Sequence, residues 1–230
     1  MEKDTQNYKK NLLVDTLSIP SIYTIHYFKY PKNFRFEGEK HDFWELVYID
    51  SGKASLVDGE KEYTLSQGEC FFHKPNIRHT IYTTDSFANS VIITFESKSK
   101  DLFRLCEYVH ILSDEDKLYL NSLIFEAKHS FTDQLNEIYL QKMNRSETAP
   151  FASDQVIKNC IELLLISLLR KMENISQKTS SMKSVKYGKF IDIIIGILNE
   201  KLDKGEKVNL DDIAFKLGYS KSYIKMQLRK

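Results

Sequence analysis

The spacing of hydrophobic positions divides the chain into an alternating part, a helical part and, after a polar gap, a second helical part. Residues 18–98 carry short runs rich in β-branched and aromatic residues: "SIYTIHYF", "WELVYI", "KASLV", "EYTL", "CFFH", "HTIYT" and "SVIITFE". Runs separated by roughly 8–12 residues and cut by turn signals predict a sandwich or barrel of short strands. "DSGK" and "VDGEKE" read as turns, and Asp58-Gly59 is a good hairpin signal because both residue types tolerate positive φ.

From 101 to 173 the period becomes helical. Ser113 is a candidate N-cap with acids in the first turn after it, followed by Leu120, Leu123, Ile124 and Ala127 on one face. A polar loop, "MNRSETAPFASDQ", precedes a second helix at roughly 154–173. Ile157, Ile161, Leu164 and Leu168 form one stripe on it, and Val156, Cys160, Leu163 and Ser167 another beside it. So wide an apolar arc predicts two covered faces. One would lie on the chain's own strands and the other on a second copy of the chain, or both within one subunit. Residues 174–184, "NISQKTSSMKS", read as a linker, and helical spacing resumes near Val185.

Composition narrows the class. With 42% hydrophobic and 28% charged residues the chain is an ordinary globular one, not a disordered one. Its formal charge of +1 hides an asymmetry. Lys183–Lys230 holds 11 Lys and Arg against 6 acids, a net of +5, while the first 182 residues hold 22 against 26, a net of −4. A basic end on a mildly acidic body points to an anionic partner such as nucleic acid, or to a solvated lysine-rich helix. Cys70, Cys106 and Cys160 are far apart, which fits reduced thiols and offers no zinc spacing. The start lacks a signal-peptide run, and the longest apolar runs are too short to span a bilayer, so a cytoplasmic protein without a membrane partner is expected.

The last 23 residues, "VNLDDIAFKLGYSKSYIKMQLRK", read as two short helices around a tight turn. Asn209 is an N-cap candidate, Asp211 and Asp212 suit the positive end of the helix dipole, and Ile213, Ala214 and Leu217 share a face. Gly218 ends that helix, Ser220 caps the next, and Ile224 and Leu228 complete the core. The pattern is that of a helix-turn-helix, although an ordinary αα-hairpin shares it. As a recognition helix, the second would turn Ser222, Lys225 and Met226 to base edges and Lys221, Arg229 and Lys230 to phosphates. With Ser220 these make up the candidate DNA-binding set.

The core "DIAFKLGYSKSYI" resembles the first half of the DNA-binding domain of AraC/XylS-type transcriptional regulators, with Ala214 mid-helix, the turn at Gly218–Ser220 and "SYI" opening the recognition helix. Met226 stands where family members often have a basic residue. The family's domain is similar to two helix-turn-helix units, of which this chain would contain the first only. His41, Glu45, Gly52, Gly68, Pro75 and His79 match the two reduced motifs of the cupin barrel, which resembles the sensory domain of the same regulators. Enzymatic cupins hold a metal with three His and a Glu, and here Glu39 takes the first His position. His41 and Glu45 share strand parity and would face the interior, while Trp44 and Tyr48 would pack outside, against helices. His26 and His73 are expected as packed or partly exposed strand residues rather than ligands.

The resulting expectation is an α+β chain: a cupin-like effector-binding barrel (1–100), a helical dimerisation segment (101–173), a linker (174–184) and an all-α, partial helix-turn-helix domain (185–230). The resemblance implies an effector-responsive, sequence-specific DNA-binding regulator, not an enzyme, with no cofactor or metal. A small polar effector, a sugar by resemblance, would bind at His41, Glu45 and His79, and the chain would form a homodimer through the helix near 154–173. The alternative is a metal-dependent cupin enzyme of dioxygenase or isomerase type.

Overall fold

The computed structural model describes residues 8–174 together with 194, 197, 201, 209, 210, 213, 224 and 225. Its strands are β1 (Ser21–Tyr30), β2 (Trp44–Asp58), β3 (Lys61–Ser66), β4 (Glu69–His73), β5 (His79–Tyr82), β6 (Ala88–Glu96) and β7 (His110–Ile111). A short 3-10 turn, Lys100–Leu105, and helix α1, Asp114–Ser130, follow. Helix α2 covers residues 153–174.

All strand pairs are antiparallel, and β2 organises them. Its first half pairs with β6 and β4 in the order β1-β6-β2-β4-β7, and its second half pairs with β3 and β5. The strand passes from one sheet to the other at the "DSGK" stretch, which corrects the turn expected there. Residues 44–58 form one continuous strand with a register shift between Ile49 and Ser51. Such a bulge bends a strand without ending it. Gly52 permits the bend: its φ is +78°, and a Cβ there would sit 2.0 Å from the Phe87 carbonyl oxygen. The hairpin at Asp58 forms, with Asp58 paired to Lys61 around Gly59 and Glu60.

Alternation along β2 sorts two cores. Trp44, Leu46 and Tyr48 pack outward with Leu102, Leu105, Leu120, Leu123 and the α2 stripe Ile157, Ile161, Leu164 and Leu168. Val47, Ile49 and Leu56 pack inward with Phe71, Ile81 and Ile92. Ser113 caps α1 in a reciprocal capping box with Asp116. The fully buried Asp116 also accepts Ser167 Oγ of α2 at 2.6 Å and pairs with Lys171 Nζ. Thus Ser167 and the buried Cys160 of the second α2 stripe are satisfied within the chain, whereas Val156 and Leu163 remain 38% and 45% exposed.

The chain divides into two units, 1–172 and 173–230. In the second, Ile194, Ile197, Ile213 and Ile224 form a buried cluster with Leu210 against it. Apart from residue 174, the expected linker lies outside the described residues. The three cysteines are buried and unbridged. No helix among the described residues is long and apolar enough to cross a membrane.

Candidate functional site

Strand register builds one polar row across the inner face. Glu45 on β2 stands opposite Thr94 on β6 and His73 on β4, and Thr94 Oγ1 meets Thr24 on β1 through hydrogen bonds of 2.8 Å. On the other sheet Asp58 is paired with His79 of β5, and Glu39 bridges His79 from the β1–β2 connection. The row opens on a cavity of about 910 Å³ whose walls include Phe28, Phe34, Phe36, Val47, Leu56 and Ile81. Part of the α1–α2 connection, residues 131–141, borders the same cavity, held to β1 by a 2.8 Å bond from Tyr27 N to the Leu135 carbonyl.

The expected residues His41, Glu45 and His79 come together, and Glu39 joins them, with one donor atom from each lying within 4.8 Å of the others. His41 Nε2 is 3.4 Å from Glu45 Oε2. His79 Nε2 is 3.6 Å from Glu45 Oε1 and 3.8 Å from Glu39 Oε1. Both rings are aimed by their other nitrogen: His41 Nδ1 donates to the Phe43 carbonyl at 3.0 Å and His79 Nδ1 to that of Ile77 at 2.9 Å. Burial works against a charged Glu45, but His41 and His79 outweigh it and hold its pKa well below the ordinary carboxylate range. Burial also works against protonated His79, yet the Glu39 and Glu45 carboxylates push its pKa up to about 10. The result is a buried ion pair with a half-exposed second acid beside it.

His26 and His73 are packed strand residues, as expected, and both also border the cavity. His73 is buried, donates from Nδ1 to Asp58 Oδ1 at 2.8 Å, and stacks on His79 with ring centroids 4.3 Å apart. His26 is 7% exposed and lines the cavity, stacked on Phe28 at 4.6 Å. A wall of stacked rings runs from Tyr23 through Phe43 to His41, at 3.9 and 3.8 Å. Of the candidate DNA-binding set, Lys225 is helical and exposed. Ser220, Lys221, Ser222, Met226, Arg229 and Lys230 lie outside the described residues.

Residues 21–94 match the family described as the AraC-like ligand binding domain. This segment, which carries the whole polar row, is thus an AraC-like ligand-binding domain of cupin type. No curated protein matches the chain. Among solved structures, a conserved Streptococcus pyogenes protein of unknown function is 20% identical over 30% of this chain and 61% of its own, with a TM-score of 0.29. A predicted oxalate decarboxylase from Thermotoga maritima is 19% identical over 33% and 68%, with a TM-score of 0.30. An RmlC-like cupin family protein with a double-stranded β-helix fold from Methanocaldococcus jannaschii is 12% identical over 45% and 98%, with a TM-score of 0.32.

The donor set of Glu39, His41, Glu45 and His79 fits a divalent ion. Two imidazoles with Nδ1–H tied to main-chain carbonyls present Nε2 in the manner of metal-ligating histidines, and two carboxylates complete the set. Glu39, His41, Glu45 and His79 would hold the ion, which would act as a Lewis acid toward an oxygen-bearing ligand.

Proposed function

We propose that the chain is an effector-responsive regulator of transcription rather than an enzyme. A small polar molecule of the sugar class binds in the cavity against His41, Glu45 and His79, and residues 185–230 address DNA through Ser220, Lys221, Ser222, Lys225, Met226, Arg229 and Lys230. One observation carries the reading: the AraC-like ligand-binding segment contains a cavity of small-molecule size, apolar in its walls and polar along one row. The basic net charge of Lys183–Lys230 and the buried Ile213 and Ile224 are consistent with a helix pair on a shared core. Exposed Val156 and Leu163 on α2 support a homodimer, in which a second copy covers them and places two DNA-binding units on paired half-sites. An effector acts by binding one arrangement of that dimer more tightly than another.

The test is selection from a random duplex pool, by this chain and by one extended with a second helix-turn-helix unit. An enriched motif whose affinity falls with salt supports the reading. Equal, weak binding of every sequence by both chains contradicts it.

The four convergent donors favour one second reading, a metal-dependent cupin enzyme. It requires tight metal binding that is lost in His41→Ala and His79→Ala, together with turnover.

A further inference from the structure

The walls of the cavity differ in how they are held. β1, β2, β4, β5 and β6 are locked by their ladders. The β1–β2 connection is stitched on by main-chain bonds. Phe36 N–H donates to the Ile81 carbonyl at 3.0 Å, Glu39 and His79 each donate to the other's carbonyl at 2.9 Å, and Thr83 N–H donates to the Phe34 carbonyl at 2.9 Å. A further wall is the middle of the α1–α2 connection, residues 134–142. Among the described residues, its one main-chain bond to the strands runs from Tyr27 N–H to the Leu135 carbonyl, at 2.8 Å. Leu135 is buried and Leu140 half-buried, both against the core that α2 shares. Gln134, Asn136, Ile138 and Gln141 border the cavity yet are exposed, so this wall is seated but not shut. A long connection with so few ties opens at a lower free energy than the strands around it.

Both ends of that segment are fixed. Thr132 N–H donates to the Asn144 carbonyl at 2.9 Å, and Ser146 N–H to the Ser130 carbonyl at 2.8 Å. The Asp133 carboxylate accepts both the main-chain N–H and Nδ2 of Asn144. Buried Met143 holds the returning side in the core. This neck continues into α2: Arg145 Nη2 donates to Ser153 Oγ at 2.7 Å and Nη1 pairs with Asp154, both in the first turn of the helix. In the same turn Val156, on the exposed stripe, donates its N–H to the Ala152 carbonyl at 3.1 Å.

Resting on the effector reading above, we propose that residues 134–142 are a hinged lid: they swing about the neck, close over a ligand in the cavity, and pass that movement through Arg145 to the first turn of α2. Opening breaks the Tyr27–Leu135 bond and lifts Leu135 from its seat. Closing brings Ile138 and the side-chain amides of Gln134, Asn136 and Gln141 down on the ligand, across from the polar row of Thr24, Glu45 and Thr94. The ligand favours the closed arrangement because it supplies contacts that the exposed lid lacks. A fixed neck with a loosely held span is the geometry of a hinge. Occupancy of the cavity is thereby linked to Val156, and so to the helix face that a second copy would cover.

The test needs no ligand: amide hydrogen exchange is followed by NMR in the full chain. The protection of the Tyr27 amide should be at least about tenfold lower than that of Phe36, Glu39 and His79, because lid opening frees it while the stitched wall stays closed. Leu135→Ala, which removes the seat, should speed exchange at Tyr27 and Val156 and leave the ladder amides of β2 and β6 unchanged. With Arg145→Ala present, adding Leu135→Ala should no longer move Val156. A Tyr27 amide as well protected as that of Phe36 overturns the lid. Val156 exchange that ignores Leu135→Ala while Arg145 is in place overturns the link to α2. If Leu135→Ala unfolds the chain, the unsubstituted protein still decides the lid, and Leu140→Ala, at the half-buried seat, decides the link. None of these results touches the effector reading, which stands or falls on its own DNA selection.

Discussion

Asp58 Oδ1 and His73 Nδ1 stand 2.8 Å apart, both buried, at the adjoining ends of β2 and β4. The bond fixes the ring that stacks on His79, so a residue of the β2–β3 hairpin orients the site from behind. Asp58→Ala should leave a buried imidazole donor unpaired and cost about 2–4 kcal/mol, while Asp58→Asn, which keeps an acceptor, should cost about 1 kcal/mol. Denaturant unfolding of the two variants checks the order.

The His79–Glu45 pair makes stability depend on pH in a definite direction. The pKa of His79 is raised from 6.5 to about 10, so its contribution is fully present below pH 6.5 and is lost as pH climbs toward 10. Glu45 is lowered, so the same pair weakens again in acid, as pH falls below the ordinary carboxylate range. Thermal unfolding should show the Tm declining between pH 6.5 and 10, and His79→Gln should flatten that limb.

Two glycines with positive φ should respond differently to alanine. Gly52→Ala meets the Phe87 carbonyl at 2.0 Å and should cost at least about 3 kcal/mol. Gly68, at φ +87° with nothing within 4 Å of a Cβ, should lose only about 1–2 kcal/mol, the conformational cost alone. Comparing the two Tm values separates steric clash from backbone strain.

On α2, Val156→Glu with Leu163→Glu places charge on exposed positions one stripe away from the internal core. If the proposed homodimer forms through this face, the expected result is an unchanged monomer fold and a shift from dimer to monomer, measured by sedimentation. A dimer that survives both substitutions removes α2 as the interface.

Local signals carried much of this architecture. The opposite parities of Glu45 and Trp44 were readable because one strand face meets the cavity and the other meets helices. Ser113 was readable because a cap is a local pattern, here running from Ser113 to Asp116. The unread parts depend on distant pairing. His26 becomes a cavity residue because β1 pairs with β6, placing it opposite Ile92, and nothing within "YTIHYF" states that register. "DSGK" has turn chemistry, but pairing on both sides makes it a bulge within β2. The placement of residues 131–141 beside the cavity follows from the Tyr27–Leu135 bond, which no periodicity signals.

In the proposed function the cavity takes an organic effector and not a catalytic metal. The direct measurement is the Tm of the full chain and of Glu45→Ala against a panel of sugars and against Mn, Fe, Ni and Zn, each with and without EDTA. A ligand bound only by the folded state raises Tm, by about 2.7 kcal/mol of stabilisation at one hundred times its Kd. A sugar should raise Tm, with EDTA leaving the rise untouched and Glu45→Ala abolishing it. A rise with a metal alone, reversed by EDTA, would contradict it.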